Sequence, residues 1–140
     1  ASTHLASPDC PPEPDMSKWL SGAPGTPKMP PPPAVDAPWM MVATNAIFAG
    51  PWGISYAANL TPDSLSGLGI WSEETFVKAL RTGKHFGVSR PILPPMPWRY
   101  YAQMTDEDLK SIYAYLRTVP PVRNQVPDAV VAPPPPAPGK

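Results

Sequence analysis

Two stretches of this chain place apolar residues at helical spacing behind a polar start signal. In the first, Ser72 precedes Glu73 and Glu74, and Phe76, Val77 and Leu80 form the apolar stripe. A serine at the N-cap satisfies a free amide, and acids in the first turn meet the positive end of the helix. Trp71 and Phe76 have the spacing of a hydrophobic staple, and Gly83 is the stop. The second repeats the design. Thr105 caps, Asp106 to Asp108 are acidic, and Met104 faces Leu109 across the cap. Leu109, Ile112, Tyr113 and Leu116 then fall at i, i+3, i+4 and i+7, which predicts one apolar face on a helix running to about Thr118. Pro120 and Pro121 end it.

Elsewhere the pattern is weaker. Trp39 to Ala49 is the most strand-like run, with Met40, Met41, Val42, Ile47 and Phe48. Gly50-Pro-Trp-Gly53 reads as a turn, and Ile54 to Leu60 as apolar chain close to the core. Met16 to Leu20 predicts one helical turn ended by Gly22, with Trp19 and Trp39 as anchors. Asn59-Leu-Thr61 fits a glycosylation sequon, but Pro62 follows it and a turn with a cap is the simpler reading.

Between the two helices lies a stretch of a different kind, from Lys84 to Thr105. Pro91, Pro94, Pro95 and Pro97 rule out helix and central strand there, because proline fixes φ and cannot donate a backbone hydrogen bond. The loop is stiff and sets Met96 between two prolines, with Trp98, Tyr100 and Tyr101 behind. A thioether presented this way suits a soft metal, above all as the axial ligand of a haem. The plainer use of methionine is to fill a gap in a core.

Leu93-Pro-Pro-Met96-Pro-Trp98, preceded by Arg81-Thr-Gly-Lys-His85 and followed by Met104-Thr-Asp-Glu-Asp-Leu109, resembles the second half of a small c-type cytochrome. Phe48-Ala-Gly-Pro-Trp-Gly53 and Ala58-Asn-Leu-Thr-Pro-Asp63 extend the likeness upstream. The resemblance is to the His/Met class and covers about Pro12 to Asp128. It implies a cytochrome c-like fold, a periplasmic location, and Met96 at the place of the distal haem ligand. That family attaches haem through Cys-x-x-Cys-His. These 140 residues contain one cysteine, Cys10, and no such motif. His4 is the histidine nearest the expected proximal position, and His85 lies just past a helix end.

Composition sharpens this reading. Twenty-five prolines leave a compact part nearer one hundred residues (mainly α, with few short helices and little strand), a degenerate cytochrome c-like fold. We expect an irregular proline-rich arm over 1–38, a core over 39–128 and a proline-rich tail over 129–140. Zero formal net charge argues against nucleic acid, and no apolar run is long enough to cross a membrane. No hydrolase or phosphate-loop motif is present, which speaks against an enzyme. Scattered methionines with His4 and Cys10 are a weak case for copper.

Taken together, these features predict a structural or docking subunit without haem in a larger periplasmic, membrane-associated electron-transfer complex, respiratory or photosynthetic, with a cytochrome as one candidate partner among its subunits. The alternative is a carrier of haem c using Met96, with nonstandard attachment or a motif outside these residues. Without haem, the vacant space should be filled by Trp39, Trp52, Trp98 and Met96, because a cavity of that size is costly. The resembled family packs a further helix on its last one, so the face of Leu109, Ile112, Tyr113 and Leu116 is expected to lack that cover and to take another from the N-terminal arm, the proline-rich loop or, for at least part of it, a partner surface.

Overall fold

The computed structural model describes residues 3–4, 13–23, 40–41 and 46–132. Six short strands, three α-helices and two 3-10 turns occur there. The strands are β1 (Thr3–His4), β2 (Glu13–Pro14), β3 (Met40–Met41), β4 (Ile47–Gly50), β5 (Gly53–Tyr56) and β6 (Val130–Val131). The helices are α1 (Glu73–Thr82), α2 (Trp98–Tyr101) and α3 (Asp106–Leu116). β1 and β2 pair with each other, and the remaining strands form an antiparallel sheet in the order β3-β4-β5-β6.

That sheet is more strand than the sequence promised. β4 and β5 are joined by the tight turn at Pro51 and Trp52, and Ile47 lies opposite Tyr56. The hydrophobic run starting at Ile54 is therefore the return arm of a hairpin. β6 falls within the segment expected to be a proline-rich tail. Its paired β-branched residues, Val130 opposite Ile54 and Val131 opposite Gly53, suit an edge position. Gly53 has φ +106, and a side chain there would collide with the carbonyl of Val130, so only glycine admits β6 at this spacing.

The two predicted helices form with the caps expected of them. Ser72 Oγ accepts from the amide of Thr75 at 3.1 Å, and Gly83 closes α1 in the left-handed conformation with φ 65. Thr105 Oγ1 accepts from the amide of Asp108 at 3.1 Å. α3 ends at Leu116, two residues before the predicted Thr118. The turn near the start is a 3-10 helix over Met16–Lys18, capped by Asp15 and closed by Trp19 rather than Gly22. Trp19, expected as an anchor, is 36% exposed, and Trp39 lies outside the described residues.

The apolar interior has two parts. One gathers Ala46, Ile47, Ala49 and Ile54 of the sheet with Ala23. The other joins α1 to α3 through Phe76, Leu80, Leu109 and Leu116, with Leu68 between them. This second cluster corrects the expectation of an uncovered α3. Leu109 is fully buried and Leu116 is 6% exposed, while Ile112 and Tyr113 are half-buried. The cover is the chain's own: the stripe of α1 faces α3, and Leu20, Leu60, Leu68 and Trp71 close the sides. The Tyr113 hydroxyl donates to the carbonyl of Trp71 at 2.7 Å. Each buried side chain of this size contributes about 1.5–3 kcal/mol, so the helix pair is the main source of cohesion at this end.

A polar clamp ties the two parts together. Asn59 is buried, and its amide donates to the carbonyl of Val122 at 2.8 Å and to Ser66 Oγ at 3.1 Å. Its oxygen accepts from the amide and the hydroxyl of Thr61 at 3.0 and 2.8 Å. Asn124 answers from the other strand of chain, donating to the carbonyls of Ser21 and Ala23, each at 2.7 Å. Three segments distant in sequence, 21–23, 59–66 and 122–124, are thereby joined by side chains too short to reach further. The Asn59 side chain is fully engaged inside the protein, which is the turn-and-cap role and not that of a glycosylated surface residue.

Candidate functional site

The methionine loop starts where α1 ends. Gly83, beyond the helix, accepts from the amide of Ile92 at 2.8 Å, and Lys84 bridges to Pro91 across a small hairpin. Within it the amide of His85 donates to the carbonyl of Arg90 at 2.9 Å. The sheet holds the middle of the loop: the buried Ser55 of β5 donates its hydroxyl to the carbonyl of Pro94 at 2.5 Å. The Pro94–Pro95 peptide is cis. At the far end, Arg81 of α1 bonds the carbonyl of Ala102 and pairs with Asp106 at 2.5 Å. That guanidinium holds the Asp106 carboxyl below its usual range. The loop is thus fixed at its entry, its middle and its exit.

Two parts of it are helical, a 3-10 turn over His85–Gly87 and α2, contrary to the expectation of irregular chain throughout. α2 starts after Pro97, the last proline, because from Trp98 onward every residue has an amide to donate. Trp98 is half-buried, and its indole lies against Gly83 so closely that a β-carbon there would collide with it. The guanidinium of Arg99 sits 5.6 Å from the centre of the Trp98 ring.

Met96 does not fill a core. It is 40% exposed and lines an open cleft of about 460 Å³. The cleft walls are mostly apolar, formed by Pro91, Ile92, Trp98 and Tyr100 with the prolines around Met96. Its polar members are Thr82, Lys84 and Arg99. The expected infilling by aromatic side chains is therefore not what this chain does beside Met96. Trp98 forms one wall and leaves the space open. Trp52 lies elsewhere, in the β4–β5 turn, folded back over Gly50. Its indole nitrogen is buried and has no hydrogen-bond partner among the described residues. Proline rigidity explains the open cleft: a loop fixed at three points and stiffened by four prolines cannot collapse onto its own methionine.

The cleft has the features of half of a haem site. A volume of this size falls in the range of small-molecule and cofactor pockets, its walls are apolar, and the thioether is accessible. Those features fit the distal side of a haem. The proximal side is not supplied by the residues lining the cleft. His85 packs edge-on against Trp71, with ring centres 5.2 Å apart, and against Phe86 at 4.7 Å. Burial and the nearby Arg90 lower its pKa, with Asp128 opposing them. It is a half-buried packing residue of the loop. His4 lies in β1, and Cys10 lies outside the described residues. Among the described residues, no group of three or more His, Cys, Asp or Glu is placed to hold a metal ion.

Sequence reasoning missed Ser55, whose hydroxyl is the side-chain tie from the sheet to the loop. No signal in a small, strand-borne serine distinguishes such a tie from an ordinary buried hydroxyl. It also passed over Lys84 and Arg99 as members of the site.

No family model matches the chain, but individual curated proteins do. Over 77 residues it is 43% identical to the fructose dehydrogenase cytochrome subunit of Gluconobacter japonicus, a match covering 55% of this chain and 16% of that protein. Over 70 residues it is 41% identical to the gluconate 2-dehydrogenase cytochrome c subunit of Pantoea cypripedii, covering 48% of this chain and 15% of the relative. The cytochrome c subunit of the quinone-type alcohol dehydrogenase of Gluconobacter oxydans is 38% identical over 82 residues, 56% of this chain and 17% of that protein. This chain is homologous to part of the cytochrome subunits of dehydrogenases. It spans only a small fraction of the length of these relatives. Among the described residues, no helix is long and apolar enough to cross a membrane.

Proposed function

We propose that this chain is a cytochrome c-like, electron-transferring part of a periplasmic dehydrogenase complex, with Met96 as the distal axial ligand of a haem. One observation carries the reading: Met96 is held by a rigid loop and lines an open, mostly apolar cleft of about 460 Å³. The relatives supply the context, since the three named above are cytochrome subunits of dehydrogenases. A haem there would supply an iron that cycles between two oxidation states. The chain's own contribution is to hold a soft sulfur ligand in place and to keep the cleft apolar. Its partners are the other subunits of such a complex, and substrate chemistry belongs to them.

The test is the visible spectrum of the chain after addition of ferric haem and reduction. A low-spin spectrum that is lost or shifted in Met96→Ala supports the assignment. An identical spectrum in that variant removes Met96 as a ligand.

A second reading is a docking subunit without haem, and it draws on the single cysteine of these 140 residues. It predicts that the chain leaves the Soret band of added haem unshifted at any haem concentration that leaves the fold intact, together with co-purification with a redox complex. The same spectrum separates the two readings.

A further inference from the structure

The 31 residues from Thr75 to Thr105 carry Lys78, Arg81, Lys84, Arg90 and Arg99 and not one carboxylate. In a chain of zero net charge this is a marked segregation, and it falls on the segment that builds the methionine cleft. Arg81 is used internally, in its pair with Asp106. Of the others, Lys84 and Arg99 line the cleft, and Lys78 and Arg90 do not. Both lining cations are exposed, and neither takes part in an ion pair among the described residues. They are also placed by the fold. Lys84 is fixed by its backbone bridge to Pro91, and Arg99 lies over the Trp98 wall. An apolar slot with two such cations and no acid along its lining suits a flat apolar molecule that carries carboxylates.

We propose that Lys84 and Arg99 form the carboxylate-binding edge of the Met96 cleft and pair with the acidic side chains of the haem. This rests on the proposed function, because it assigns the residues that hold the same group from its charged side. A cation beside a carboxylate at a half-open rim gives charge-assisted hydrogen bonds, strongest for the forked guanidinium. Arg99 is therefore the main partner, and Lys84 acts as a point charge.

The experiment compares two probes that differ only at the carboxylates: ferric haem and its dimethyl ester. Each is titrated into the full chain, and affinity is read from the Soret absorbance. Four proteins are used: wild type, Lys84→Met/Arg99→Met, Arg90→Met and Met96→Ala. Circular dichroism confirms that each variant folds, which is expected because the substituted side chains are exposed. In wild type the ester should bind about three- to tenfold more weakly than haem, the size expected for two rim-exposed ion pairs. The double variant should bind both probes alike, whereas Arg90→Met should keep the wild-type ratio. Equal affinities in wild type, or an unchanged ratio in the double variant, would overturn the assignment while leaving Met96 as ligand. Loss of the ratio in Arg90→Met as well would reduce the effect to general attraction and overturn it too. A spectrum indifferent to Met96→Ala for both probes would sink the ligand reading itself, and this inference with it.

Discussion

Replacing Asn59 by alanine is the most demanding test of how this fold is held. The amide nitrogen has two hydrogens and three acceptors within reach, so the bonds to the Val122 carbonyl at 2.8 Å and Ser66 Oγ at 3.1 Å take them, and the Asn124 carbonyl at 3.4 Å is left the weakest. The side-chain oxygen accepts two further bonds from Thr61, which is fully buried. Truncation removes these four good bonds at about 0.5–1.5 kcal/mol each and strands the buried Thr61 amide at about 1–3 kcal/mol. Relaxation recovers part of that, so we expect a loss of about 3–5 kcal/mol, a large share of the ~5–15 kcal/mol that a domain of this size has. Urea denaturation followed by circular dichroism measures it, as a lower midpoint at unchanged slope. Asn59→Asp is the companion variant. It keeps the acceptor but turns a lone pair toward the Val122 carbonyl, so it should be less stable at neutral pH than in mild acid, where the protonated group again donates. A loss below about 1 kcal/mol for Asn59→Ala would refute the clamp as a determinant of stability.

Three further outcomes follow from the site. Ser55→Ala should cost about 1 kcal/mol in global stability while loosening the methionine loop, seen as faster amide exchange at Met96 than in wild type; unchanged exchange would show that the prolines suffice without this bond. Gly83→Ala places a β-carbon into the Trp98 indole at a left-handed position, and should cost at least about 1 kcal/mol and shift the tryptophan emission. The His85 ring should titrate below its ordinary value of 6.5 by NMR, because burial and Arg90 disfavour the imidazolium. Its contribution to stability is then complete above 6.5 and declines as pH falls through the lowered folded-state value, and His85→Gln should flatten that slope.

How much of this was legible from residues alone depended on range. The caps at Ser72, Gly83 and Thr105 act within one helical turn, and both long helices were readable from them. The β4–β5 hairpin was half-read, because Gly50-Pro-Trp-Gly53 announces a turn while Gly53-Ile-Ser-Tyr56 is too short to announce a strand. α2 was hidden by the prolines before it. The error over Leu109 and Leu116 had a specific cause. The stripe of α3 is local in sequence, whereas its cover stands on Phe76 and Leu80 of α1, about thirty residues away. Met96 was found from its prolines, but the open cleft beside it was not, since openness depends on where Ser55, Arg81 and Trp98 sit in space. The clamp of Asn59 and Asn124 joins positions about sixty to a hundred residues apart, and no local pattern encodes that.

The four prolines around Met96 have a further consequence that lies outside the native contacts. A proline narrows the conformations open to the chain before it folds, so ordering that residue later loses less entropy. Replacing Pro91 or Pro97 by alanine would remove few contacts, yet it would enlarge the denatured ensemble of the segment that must present the thioether. Such variants act on the unfolded side of the equilibrium, where inspection of the folded protein gives no warning. The stiffness that keeps the methionine in the wall of its cleft is thus partly a property of the chain before any of its ties to Ser55 or Arg81 have formed.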